Sequence, residues 1–472
     1  MLSEHLEKKI TSALGEIPTD GQMQFIKLIS SFVLSDEEDK IFLLTGYAGT
    51  GKTSVISALI NVLEEYKIKS ILLAPTGRAA KVLSNFSGKG AFTIHKKIYR
   101  QKSSKDGFGK FILGKNLGSD NLFIVDEASM IGTQTFESSI FGSGNLLEDL
   151  LEFVYSGKRS KLILIGDSAQ LPPVNQSEIN ILNKENLSSL GFSITSHCLT
   201  EVLRQSIKSG ILYNSTIIRL QINSNDIKIP RLQLKGFTDI MAIPNNEFVD
   251  SLSESYGKYG IEETIVITRS NKRANLYNNG IRKSILFREA EISQGDYLMV
   301  VKNNYFWLSG EEELNFIANG DIIQILKLKK FEERYGFHFA DVKVRLVDMD
   351  NREADVKILL ETLEIEGASL SQDDNKRLFY TVYEDYKSIK PKRAGFEAVR
   401  NNPYFNALQV KFAYAVTCHK AQGGQWKSVF VDQGYFVKDM LNLEYLKWLY
   451  TAFTRATEKL YLVNFNKDFL NE

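Results

Sequence analysis

Cysteine is scarce: Cys198 and Cys418 are the only two in 472 residues, which excludes a disulfide framework and fits a reducing compartment. Charge of one sign is also missing. Lys+Arg 58 against Asp+Glu 57 leaves a net +1, so no global field argues for a nucleic acid or a membrane surface. Any anionic partner must therefore be held by a local groove. No apolar run approaches the ~18 residues a spanning helix needs, and Met1 to Lys9 carries mixed charge without a signal-peptide core. A cytoplasmic protein is the expectation. Internal repeats and Gly/Ser linkers are absent too. What remains is ordinary globular composition, 43% hydrophobic and 24% charged, which at ~100–200 residues per domain predicts two to four domains.

The first chemistry-bearing stretch is Ile41 to Thr53. An apolar strand runs into Gly46-x-x-x-x-Gly51-Lys52-Thr53, and Val55, Ile56, Leu59, Ile60 and Leu63 continue at helical spacing. Strand before and helix after is the context a phosphate-binding loop requires. Gly46, Gly49 and Gly51 let the backbone curl until its amides face a phosphate, and the helix N-terminus adds positive potential. Lys52 would bridge the β- and γ-phosphates of ATP, and Thr53 would ligate Mg²⁺. A buried-type strand, Asn121 to Val125, then ends in Asp126 and Glu127. Asp126 is placed to hold the metal and Glu127 to orient and deprotonate water. A third strand, Lys161 to Ile165, leads to Gln170, either a γ-phosphate sensor at a strand end or a structural amide.

The later half alternates strand and helix again without a second such loop. Glu263–Thr268, Lys411–Val416, Ser428–Val431 and Lys459–Val463 read as strands and Leu443–Thr454 as a helix, which predicts a second parallel sheet. Polar clusters end its strands: Thr417 to Gly424, and Thr451 to Ala456. Arg455 is an arginine-finger candidate or a solvated helix-end cation. Between these pieces, residues from Gly295 to Pro403 alternate as antiparallel strands, with a turn at Asn319-Gly320-Asp321. This predicts an inserted β module. Lys390 to Arg393 reads equally as a solvated turn or a phosphate contact.

The order of these motifs resembles the superfamily 1 helicases of the RecD/Dda type, in a compact build, from about Thr19 to Asn464. The resemblance implies an α/β fold of two RecA-like parallel-sheet domains with a 1B hairpin and an SH3-like 2B barrel inserted. The implied boundaries are 1–88 and 121–258 for domain 1A, 89–120 for 1B, 259–293 and 404–472 for 2A, and 294–403 for 2B. It implies that Gln22 reads adenine and that Gly46, Ala48, Gly49, Thr50, Gly51, Lys52 and Thr53 hold the triphosphate. Asp126, Glu127 and Gln170 complete the hydrolytic wall, Arg204 and Arg455 are two fingers, and Gly424 lies at the nucleotide. Pro75, Thr76, Arg78 and His95 of the first domain and Thr417, His419 and Lys420 of the second are implied DNA contacts. Phe108 or Phe111 is the implied pin tip, unless that glycine-rich segment is simply a loop. The implied activity is ATP- and Mg²⁺-dependent 5′→3′ movement on single-stranded DNA with unwinding at single-strand/duplex junctions. A monomer would suffice, with a single-strand-binding protein or replisome as possible partner in replication, repair or recombination. The setting would be the nucleoid, or a host cytoplasm if phage-encoded. A 3′→5′ motor, a non-unwinding translocase, an RNA helicase and a nucleotide-switched binding module are the rival readings.

Overall fold

The computed structural model describes residues 2–101, 111–132, 142–173, 181–201, 208–308, 316–349 and 351–471. Its first sheet has six parallel strands, in the order Ala91–Thr93, Lys69–Ala74, Asn121–Val125, Lys161–Gly166, Lys40–Gly46, Ser193–Leu199. Central strands of such a sheet are covered on both faces, so their sequences read as unbroken apolar runs. Asn121–Val125 is buried along its whole length. Helices Leu2–Leu14, Asp20–Leu34 and Lys52–Glu65 cover one face through Leu6, Phe25, Ile29 and Leu59; Leu146–Tyr155 covers the other through Leu150 and Val154.

The second sheet is also parallel, in the order Ile240–Ile243, Ala456–Val463, Trp426–Asp432, Thr264–Thr268, Ala415–Thr417. Helix Leu443–Phe453 packs beneath it with Leu446, Leu449 and Phe453 against Ile211, Ile218 and Ile222 of helix Gly210–Ser224. The first domain was expected to run to residue 258. It gives way earlier, because the helix from Gly210 and the edge strand Ile240–Ile243 both pack into the second unit.

The insertion is a closed five-stranded barrel: Tyr297–Val300, Ile322–Arg334, Phe337–Leu346, Arg352–Leu359 and Leu408–Phe412. Tyr335 and Gly336, both at positive φ (58° and 72°), make the two-residue hairpin between its longest strands. Its interior is lined by Leu298, Ile323, Val342, Val344, Ile358 and Val410. The expected end at 403 is corrected here. The segment anticipated as one strand from Lys411 to Val416 divides, Leu408–Phe412 closing the barrel and Ala415–Thr417 joining the sheet.

The 1B insertion is smaller than the expected 89–120, because Ala91–Thr93 is an edge strand of the first sheet, paired with Leu72–Ala74. What the described residues show there is the antiparallel pair Tyr99–Gln101 with Phe111–Leu113. Phe111 is no exposed tip. It is 3% exposed, and its ring centroid lies 4.4 Å from that of Tyr305, with Phe316 beyond. Phe108 lies outside the described residues. Among the described residues no helix is long and apolar enough to cross a membrane.

Candidate active site

Strand Lys40–Gly46 delivers the glycine loop to the sheet's C-terminal edge, beside the end of strand Lys161–Gly166. Gly49 and Gly51 take φ of +76° and +78°, a region open to glycine at little cost. Helix Lys52–Glu65 begins with no side-chain cap, so its first amides point outward unclaimed by a capping group. The Lys52 ammonium folds over the loop, donating to the Gly46 and Tyr47 carbonyls at 2.7 and 2.9 Å. Thr50 Oγ1 donates to the same Tyr47 carbonyl at 2.8 Å. The loop is thereby shaped before any phosphate arrives.

Gln22 supports it from behind. Its side-chain amide donates to the Thr50 carbonyl at 3.3 Å while its Oε1 accepts from the Thr19 amide at 3.1 Å, and it is 2% exposed. Reading adenine would require exchanging these bonds.

Asp126 and Glu127 leave strand Asn121–Val125 toward the same edge. Burial, then the neighbouring Glu127, pushes the Asp126 carboxyl up to about 6, while Lys52 and Arg455 pull the other way. Its Oδ1 accepts from the Glu127 amide at 2.8 Å. Glu127 sits at φ +51°, an unusual conformation for a non-glycine residue and one that turns its side chain into the cleft. Gln170 is 7% exposed at the cleft wall, and its Oε1 finds no hydrogen-bond partner among the described residues. A buried acceptor without a donor costs free energy unless a ligand completes it. Arg204 lies outside the described residues.

The opposite wall comes from the second sheet. A cavity of about 400 Å³ is lined by Gly49, Lys52 and Thr53 from one half of the chain and Gln425, Thr454 and Arg455 from the other. Arg455 is 3% exposed. Its Nε donates to the Thr451 carbonyl (3.1 Å), Nη1 to the Gly424 carbonyl (3.2 Å) and Nη2 to Thr454 Oγ1 (3.3 Å). The helix-end reading of a solvated cation is overturned: this guanidinium is buried and aimed across the gap. Gly424 meets the Arg455 guanidinium through that carbonyl, and a Cβ there would come within 2.4 Å of the Trp426 ring.

Three residues joining the walls had no role expected of them: Tyr450 in an apolar helix, and Thr451 and Gln422 within the polar clusters. Tyr450 OH accepts from the Ala48 amide at 2.9 Å and donates to Asp167 Oδ2 at 2.6 Å. Thr451 Oγ1 accepts from the Leu171 amide, and Gln422 donates to the Leu171 carbonyl. An i, i+1 pair inside an apolar helix looks like core until its partner helix or loop is known.

Of the expected DNA contacts, Thr76 caps helix Gly77–Ser87 by accepting from the Ala79 amide at 3.2 Å, with Pro75 just before it. A Cβ on Gly423 would lie 3.2 Å from Thr76 Oγ1, so elements of both halves meet here. Arg78 is engaged at this seam. It donates to the Gln425 carbonyl at 3.3 Å, and its guanidinium carbon stands 4.5 Å from the Trp426 ring centre. Burial pushes His95 down to about 4 and lowers His419, so both imidazoles are neutral at pH 7. Lys420 is pushed down to about 8 by burial. Thr417 precedes these last two, at the end of strand Ala415–Thr417.

The two walls define a P-loop nucleoside triphosphatase site between parallel sheets. A hydroxyl (Thr53) and a carboxylate (Asp126) are hard oxygen donors suited to Mg²⁺, which keeps several waters and needs few protein ligands. An AAA domain model matches residues 28–219, and a UvrD-like helicase C-terminal domain model matches residues 412–463. The ATP-dependent RecD2 DNA helicase of Deinococcus radiodurans is 25% identical over 89% of this chain and 46% of its own length. RecBCD subunit RecD of Buchnera aphidicola from Schizaphis graminum is 23% identical over 98% and 79%. The ATP-dependent DNA helicase dda of phage T4 is 25% identical over 66% and 67%. A solved Pif1 helicase from Bacteroides, in complex with ADP-AlF3 and ssDNA, aligns over 97% of this chain and 95% of its own, at 17% identity and a TM-score of 0.47. The chain thus carries an AAA-type segment followed by a UvrD-like helicase C-terminal segment and is similar to ATP-dependent DNA helicases of the RecD and Dda type.

Proposed function

We propose that this chain is a motor that moves 5′→3′ along single-stranded DNA and unwinds duplex at a junction, driven by ATP hydrolysis. The observation that carries the reading is Lys52 and Arg455 in one cavity, contributed by opposite halves of the polypeptide. A triphosphate there is contacted from both walls, so its charge favours closure and its hydrolysis removes that bias. Lys52 exchanges the loop carbonyls for phosphate oxygens, Gln170 completes its unpaired acceptor at the γ-phosphate or the attacking water, and Glu127 takes the water's proton. Mg²⁺, when bound by Thr53 and Asp126, neutralises phosphate charge. Arg204 and Gly424 act at the same nucleotide.

DNA is gripped by Pro75, Thr76, Arg78 and His95 on one side and Thr417, His419 and Lys420 on the other. Such short polar groups and amides hold phosphates without reading bases. Grips alternating in strength between the two halves advance the strand, and Phe108, outside the described residues, is kept as the candidate wedge. One copy suffices, and a single-strand-binding protein or replisome component is a fitting partner.

Duplexes with a 5′ or a 3′ single-stranded tail, given ATP and Mg²⁺, test this. Unwinding of the 5′-tailed substrate alone is expected, with Lys52→Ala inactive. Unwinding only from 3′ tails overturns the polarity, RNA outcompeting DNA overturns the substrate, and hydrolysis indifferent to nucleic acid overturns the motor.

A further inference from the structure

We infer that Tyr450, with Thr451, is the positioning pair that couples closure of the two sheets to placement of the Arg455 finger. This rests on the reading of the cavity as an ATP-hydrolysing site. Tyr450 is 1% exposed on helix Leu443–Phe453, which belongs to the second sheet, yet its hydroxyl is spent entirely on the first domain. It accepts from the Ala48 amide of the glycine loop and donates a hydrogen bond to Asp167, whose other oxygen accepts from the Ala169 amide. One hydroxyl therefore ties the loop that holds the triphosphate to the segment that carries Gln170.

The next residue repeats the pattern. Thr451 Oγ1 takes the Leu171 amide, directly after Gln170, at 2.9 Å, and is wholly buried. The Thr451 carbonyl in turn accepts from Arg455 Nε at 3.1 Å. The path from Gln170 to the finger thus runs along the chain to Leu171, across one hydrogen bond to Thr451, and by a second from Arg455 to the Thr451 carbonyl. Gln422 fixes the same Leu171 through its carbonyl at 2.6 Å. A rigid helix cannot shift along the first domain without breaking the Tyr450 and Thr451 bonds together. The finger is therefore registered only when both are made. Tyr450 touches no reacting atom; it acts through Ala48 and Asp167.

The test is steady-state ATP hydrolysis with saturating single-stranded DNA, alongside thermal melting, for Tyr450→Phe, Asp167→Asn and the double variant. Expected is a kcat at least tenfold below wild type with KM for ATP within about twofold, and a double variant no worse than the poorer single one. Thr451→Val and Thr451→Ser provide a second reading that does not depend on Tyr450→Phe folding. The valine form should lose kcat, and the serine form, which keeps the hydroxyl, should restore it. Wild-type kcat in Tyr450→Phe, losses that multiply in the double variant, or valine and serine forms behaving alike would overturn the coupling. A wild-type protein without DNA-stimulated hydrolysis would instead overturn the underlying reading, and that result is distinguishable because it needs no variant.

Discussion

Arg455 Nη1 stands 3.8 Å from Glu127 Oε1, a contact between the proposed finger on one sheet and the proposed base on the other. The guanidinium is held by the Thr451 and Gly424 carbonyls at the face of the acidic wall, the position from which the proposed mechanism has it meet a phosphate.

Arg455→Ala should accordingly lose ~10³-fold or more in kcat, the lower end of the range for arginine fingers, with little change in KM for ATP. Arg455→Lys should recover little, because one ammonium cannot reach the Thr451 and Gly424 carbonyls and a phosphate at once. ATPase assays with saturating single-stranded DNA decide it. Activity of Arg455→Ala within tenfold of wild type would remove the finger from the mechanism.

Phe111 yields the opposite kind of prediction. Buried against Tyr305 and Phe316, it should behave as a core aromatic, and Phe→Ala in a core costs ~3–5 kcal/mol. Thermal melting of Phe111→Ala should show a large drop in Tm, with translocation and unwinding lost together. Selective loss of unwinding at an unchanged Tm would restore Phe111 to the wedge.

The nucleotide wall was legible because its chemistry is local. Gly46 to Thr53, Asp126-Glu127 and Gln170 each lie within a few residues of a strand end, and a run such as Lys161 to Ile165 is easily read. The second sheet was only partly legible. Its edge strand Ile240–Ile243 pairs with Leu460–Val463, some two hundred residues away, and no turn or linker marks where it changes allegiance. The barrel's last strand was hidden for a related reason: Leu408–Phe412 and Ala415–Thr417 are separated by two residues and share one apolar texture. Arg78 was expected at DNA from the resemblance alone, and its contacts with the Gln425 carbonyl and the Trp426 ring, supplied from the far end of the chain, leave no mark near it in sequence.

On the proposed DNA path, Lys420 should tie affinity to pH. Burial pushes its ammonium down to about 8, so the charge present at pH 7 is lost as pH rises through that value. Single-strand affinity should fall between pH 7 and 9 in wild type and much less in Lys420→Ala. Removing one phosphate contact should also flatten the slope of log affinity against log salt by ~0.7. Fluorescence anisotropy with a labelled oligonucleotide measures both. An unchanged slope would move Lys420 off the DNA path.

The barrel is fastened to the first domain by a contact whose stability depends on protonation. Asp321 is 5% exposed, its Oδ2 accepts from the Ala318 amide at 2.7 Å, and a Cβ on Gly77 would lie 2.5 Å from its Oδ1. Beside it Lys81 donates to the Val347 carbonyl at 2.8 Å. Burial, then the charge of Asp348, pushes the Asp321 carboxyl up to about 7, against ~3.9 for an unfolded aspartate. Between those values the folded state binds the proton more tightly, so this group's contribution to stability is full below ~4 and is lost as pH rises to 7. Asp321→Asn keeps an acceptor for Ala318 and removes the titration. Its Tm should therefore fall less than wild type's between pH 5 and pH 8. Each kcal/mol so retained is worth roughly 2–4 °C in a domain of 150–250 residues. Parallel Tm–pH curves for the two proteins would mean that Asp321 ionises without penalty and that the barrel's seat on helix Gly77–Ser87 is indifferent to its charge.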